Sequence, residues 1–178
     1  MHFEHSLKTQ LPIDLVYKTL RDELPNLTKY MPNIDRVELI ERRESENEVY
    51  TIYKWYAKNI LQSFLAQFIK FNDIAWLDKG RWSKNGYVCD WTYEPFILQG
   101  HVNAKGQTIC ANDGMFTSIT YKGDVYVNLD QYPFIVIVPG MIREKLVEEF
   151  LSLVASLIEL NFVALIKGLE QYINSKMQ

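Results

Sequence analysis

From Met141 to Ile173 the chain runs without a proline, and Pro139-Gly140 opens the stretch. An unbroken helix over 141–173 would extend roughly 50 Å at 1.5 Å per residue. A compact domain of 178 residues is only about 40 Å across. Such a helix either crosses the whole domain or kinks, and Gly168 is the natural place for a kink. The rest of the chain has to be arranged around it.

Residues 150–166 of that stretch, FLSLVASLIELNFVALI, are apolar enough to raise the question of a membrane span. Glu148, Glu149, Ser152, Ser156, Glu159, Lys167 and Glu170 nevertheless keep a polar stripe along the helix. A spanning helix wants about 20 predominantly apolar residues, and a central Glu159 would cost about 3 kcal/mol on insertion. The stretch therefore reads as a core helix, with no transmembrane segment expected. The start, MHFEHSLKTQ, has neither a basic n-region nor an apolar h-region, so the expected setting is cytoplasmic.

Ahead of the long helix the periodicity is mostly two. Phe3, His5 and Leu7 alternate with polar residues in a first strand. Pro12 then opens a helix over 12–23 with Leu15, Val16, Thr19 and Leu20 on one face. Pro25 interrupts it, which predicts a second short helix over 25–31. Strands follow at 34–43, 47–57, 72–83, 86–98, 100–104, 107–112 and 115–129. Turn chemistry separates them at Lys84-Asn85-Gly86, Ala104-Lys105-Gly106-Gln107 and Asn112-Asp113-Gly114, and Gly123 marks a candidate bulge. Such short spacing favours antiparallel hairpins over crossovers. Residues 59–70 break the pattern: Ile60, Leu61, Phe64, Leu65, Phe68 and Ile69 fill one half of a helical wheel. An amphipathic helix is expected there, with a buried strand and short loop as the alternative.

These elements define an α+β class: a twisted antiparallel sheet wrapped around a long C-terminal helix, with two short helices after the first strand. Only the long helix is large enough to cover the sheet. A single domain over 1–178 is expected.

The stretch PIDLVYKTLRDELPNLTKYMPNIDRVELIE resembles the opening of START-like (SRPBCC) helix-grip proteins, the superfamily that includes polyketide cyclases, coenzyme-Q-binding proteins and the major pollen allergens. Pro12, Val16, Tyr17, Leu20, Tyr30, Met31, Pro32 and Val37 carry the pattern, and the helix over 141–173 fits it too. The resemblance implies a helix-grip fold and a deep apolar cavity between sheet and helix for a lipid, polyketide, sterol or similar ligand. It implies no fixed catalytic set. Residues 59–70 depart from the simplest version of the family, in which a short turn stands there.

Composition narrows the chemistry further. Nineteen Lys+Arg against 22 Asp+Glu give a net charge of -3, which does not suit gripping nucleic-acid phosphates. Three histidines and two cysteines with no ligand spacing predict no metal site. No nucleotide or nucleophile motif is present, so no cofactor is expected.

The inward strand faces supply the candidate ligand-binding residues. Tyr53 and Trp55 share a face with Val49, and Trp91 and Tyr93 share the next. Trp76 and Trp82 join them, as do Ile119, Tyr121, Val125 and Val127. Tyrosine hydroxyls and indole N–H groups on an enclosed face need a partner, water or a ligand. On the long helix, Leu157 and Asn161 point to the same side, and Asn161 is either a ligand contact, with Gly168 leaving room, or bonded to a sheet tyrosine or water. Phe64 and Phe68 would reach inward if the 59–70 helix covers the cavity mouth; a homodimer contact or a membrane contact are the alternatives, with no basic face to favour the membrane. Asp78 is in register with Trp76 and Trp82, but a nearby turn or bulge could rotate it outward. His5 reads as an interior histidine, and His101 could approach Tyr93 or Tyr121.

The expected function is binding of a hydrophobic small molecule or lipid, as a monomer or homodimer. One alternative is a cyclase, dehydratase or hydrolase working on such a ligand in the same cavity. Another is an interaction module that uses the 59–70 helix.

Overall fold

In the computed structural model, residues 1–58, 74–96, 98–128 and 140–177 are described. Strand β1 (His2–Thr9) leads into α1 (Ile13–Asp22). Pro12 caps α1 from outside, and its carbonyl accepts from the Val16 N–H at 3.0 Å. Proline suits this position because its missing N–H would have no intrahelical partner there. Val16, Tyr17, Thr19 and Leu20 are buried. The Tyr17 hydroxyl lies 2.9 and 2.7 Å from the Ser83 and Val88 carbonyl oxygens, which fastens α1 across the end of a hairpin. Helix α2 (Leu24–Leu27) carries Pro25 in its first turn and passes into a 3-10 turn at Thr28–Tyr30.

Strands β2 (Ile34–Glu44), β3 (Glu48–Ala57), β4 (Ala75–Ser83), β5 (Val88–Pro95), β6 (Val102–Asp113) and β7 (Phe116–Val127) follow. Among the described residues they form one antiparallel sheet with β1, in the order β1-β7-β6-β5-β4-β3-β2. The closing element is α3 (Gly140–Met177), one continuous helix of 38 residues. The expected architecture, a sheet around a long C-terminal helix with two short helices after the first strand, is the one observed.

Strand β6 corrects one expectation. The turn expected at Ala104–Gln107 is absent, and the strands expected at 100–104 and 107–112 are a single strand. Gly106 pairs with Gly123 across β6–β7, and Gly123 pairs with Phe3 with no shift of register, so neither glycine marks a turn or a bulge. Both are there for a side chain from a third strand. A Cβ on Gly106 would lie 2.5 Å from Trp91 Cζ2, and one on Gly123 would lie 2.6 Å from Trp91 Cη2. The indole comes up against the backbone that the glycines leave bare, a close approach only glycine allows. Strand β5 is also shorter than expected. After Pro95 the chain turns through Leu98 (φ +54) and Gly100 (φ +80), and the buried Leu98 packs with Val102, Leu146 and Phe150.

By length and composition α3 could cross a membrane. Its apolar stretch is only 11% buried, while its C-terminal part sits in the core, where Phe162, Ile166, Leu169, Tyr172 and Ile173 are buried with Val16, Leu20 and Ile119. Gly168 does not leave room for a ligand, nor does it end the helix. A Cβ there would come within 2.5 Å of the Tyr30 Cβ, so the glycine lets the 3-10 turn pack directly on α3. A second cluster, Leu24, Met31, Ile34, Val37, Tyr53 and Trp55, fills the space beneath α2.

Candidate functional site

A cavity of about 290 Å³ lies between the sheet and α3, just under the usual range for ligand sites of about 300–1,000 Å³. Its position follows from the burial of α3. Leu153, Val154, Leu157, Ile158 and Leu165 are only half-buried, although they lie on the side of the helix that faces the sheet. Their exposed surface is cavity wall. Opposite them stand strand residues brought side by side by the register, Trp55 beside Trp76 and Trp82 beside Cys89.

The cavity collects most of the residues expected to meet a ligand: Trp55, Trp76, Trp91, Tyr93, Tyr121, Leu157 and Asn161 all line it. Tyr53 does not, although it shares its strand face with Trp55. Its ring is buried in the cluster beneath α2, and its hydroxyl donates to the Arg21 carbonyl at 3.1 Å. Burial also pushes its pKa up to about 12. Phe64, Phe68 and the whole 59–70 segment lie outside the described residues. The histidines are elsewhere: His5 stacks on Phe3 and approaches Phe162, and the His101 ring meets the Asn128 carbonyl at 2.9 Å.

The aromatic wall is organised by stacking. Trp91 lies on Tyr93 with centroids 4.6 Å apart and rings 19° from parallel, and Tyr121 stacks on Phe162 of α3 at 5.7 Å. Trp55 and Trp76 stack at 5.7 Å further along the sheet. Within this wall the Tyr121 hydroxyl donates to the Tyr93 hydroxyl at 2.9 Å. Burial raises both phenols well above their ordinary pKa, so both stay protonated.

Polar groups in such a wall need partners. The Trp82 N–H has one, donating to Thr51 Oγ1 at 3.1 Å. Trp91 Nε1 and Asn161 Oδ1 are buried and have no hydrogen-bond partner, while the buried Trp55 N–H faces the Asp78 carboxyl. Leaving the Trp91 and Asn161 atoms unsatisfied costs about 1–3 kcal/mol each.

Asp78 also lines the cavity, and it is the residue that sequence reasoning left undecided. Strand β4 carries no bulge between Trp76 and Trp82, so the alternation holds and Asp78 points inward between Tyr53 and Tyr93. Burial raises its pKa to about 7, and the nearby Trp55 indole only partly offsets this by favouring the carboxylate. By accessible surface the residue is half-buried, and it lines the cavity. Among the described residues no group of His, Cys, Asp and Glu could hold a metal ion.

A twisted antiparallel sheet gripping a long C-terminal helix, with paired short helices after the first strand and a cavity in the grip, is the START-like helix-grip fold. Solved structures similar to this chain share it. The protein TTHA0849 of Thermus thermophilus matches with a TM-score of 0.67 and 17% identity over 100% of both chains. The Zhui aromatase/cyclase from Streptomyces sp. R1128 matches at 0.64 with 14% identity, over 100% of this chain and 96% of that one. The major latex-like protein 151 of Panax ginseng matches at 0.57 with 10% identity, over 96% and 97%. No protein-family model matches the chain, and neither does any curated protein sequence. At these identities the likeness is one of fold.

Proposed function

We propose that this chain binds a hydrophobic small molecule or lipid in the cavity between its sheet and α3. The observation that carries the reading is the apolar cavity wall, with the unpartnered Trp91 and Asn161 among the residues that form it. A wall that only filled a core would have closed on itself, because protein interiors pack without such voids. We take the binding unit to be one domain over 1–178, working in the cytoplasm.

Binding of Nile red, an uncharged dye that brightens in apolar surroundings, tests this. The wild type should bind it, and Leu157→Trp, which pushes a large side chain into the cavity, should weaken binding by at least about tenfold with the fold intact by circular dichroism. Equal binding by both proteins would place the dye elsewhere and refute the reading.

A second reading has the ligand turned over, in a cyclase- or dehydratase-type step. Asp78 supports it: a carboxyl group at the cavity wall with a pKa near 7, beside Tyr93, can take and return a proton at neutral pH. The Streptomyces aromatase/cyclase shares the fold, which admits such chemistry without establishing it.

A further inference from the structure

Asp78 is the only charged residue in the cavity wall among the described residues; no Lys, Arg or His lines it. The groups packed around it are neutral. Tyr53 on β3 and Tyr93 on β5 flank it in register. Cys89 and Tyr121 are close enough to feel its charge, and both are held protonated by burial. From α3 the facing polar group is the amide of Asn161, and from α1 and α2 the facing side chains are Leu20 and Leu24. The neighbouring Lys79 gives no help, since it bonds Glu94 at 2.6 Å. Asp78 therefore has no cationic partner among the described residues.

We infer that Asp78 makes the cavity charge-selective: it admits apolar ligands whose polar end is a hydroxyl or a protonated amine, and turns away ligands that end in a carboxylate. The inference rests on the ligand-cavity reading above. Two like charges about 5 Å apart at an effective dielectric constant of about 20 repel strongly enough to weaken binding by about 100-fold or more. An anionic ligand escapes that repulsion only if it or Asp78 takes up a proton. A hydroxyl or ammonium group donates instead, and both Asp78 and the unpartnered Asn161 Oδ1 are acceptors. A hydroxyl oxygen can also accept from the unpartnered Trp91 N–H. Selectivity of this kind comes from the element that repels the wrong ligand as much as from the one that holds the right one.

Competition against Nile red with decanol, decylamine and decanoate, three chains of equal length with different ends, decides it. At about pH 8 the wild type should bind decanol and decylamine at least about tenfold more tightly than decanoate. Asp78→Asn should bring decanoate to within about threefold of decanol. In the wild type alone, the preference for decylamine over decanol should grow as pH rises from about 5.5 to 8.5, a second readout that needs no variant. Equal binding of all three ends, or a decanoate deficit unchanged in Asp78→Asn, would overturn the inference while leaving the ligand cavity standing. Failure of the wild type to bind any of the probes would overturn both.

Discussion

The protonation of Asp78 makes the stability of this protein depend on pH in a way that one substitution exposes. In the folded chain the carboxyl keeps its proton up to about pH 7, against an ordinary value of 3.8. Between those two values unfolding releases a proton, so this group's contribution to stability is full below about pH 4 and is lost as pH rises through 7. A shift of about 3 units corresponds to about 4 kcal/mol, a ceiling that water inside the cavity would lower by solvating the carboxylate. Asp78→Asn removes the titration while keeping the shape. The variant should match the wild type near pH 4 and exceed it by up to about 4 kcal/mol at pH 8. Other groups also titrate, among them Asp22 and Glu23, whose pKa values are lowered in the fold, so the quantity to follow is the difference between the two proteins. Urea unfolding monitored by tryptophan fluorescence would read it as a midpoint difference approaching about 2 M at an m-value near 2 kcal/mol/M. A difference that does not vary with pH, or a variant less stable at pH 8, would mean that the carboxylate is solvated or paired, and the reasoning would fail.

Gly106→Ala should destabilise by about 2–3 kcal/mol, since its Cβ would meet the Lys122 carbonyl oxygen and Trp91; thermal unfolding measures this, and a neutral outcome would show that neither the neighbouring strand nor Trp91 presses on this position. Asn161→Leu should leave stability level or raise it, because a buried amide with an unpartnered oxygen is exchanged for an apolar group, and should change the affinity for decanol. A loss of about 1–3 kcal/mol with unchanged affinity would show instead that the amide serves the fold.

Much of the architecture is legible in the residues alone, because it is written in local periods. Alternation put Trp55, Trp91 and Tyr121 on inward faces, since successive strand side chains point to opposite sides whatever the neighbours are. Pro12 and Pro25 delimited the two short helices through their own covalent geometry. The proline-free run after Gly140 became one helix for the same reason. What tertiary structure decided is what depends on partners distant in sequence. Gly106 looks like a turn until Trp91 is seen lying on it, and Gly168 looks like space for a ligand until Tyr30 is seen filling it. Tyr53 and Trp55 are identical in parity, yet one is sealed beneath α2 and the other opens on the cavity. Asp78 shows the division most clearly. Its parity with Trp76 and Trp82 was readable, but its final direction and its charge state were not, because a bulge depends on the partner strands and a pKa follows from every group around the carboxyl, among which the described residues place no cation.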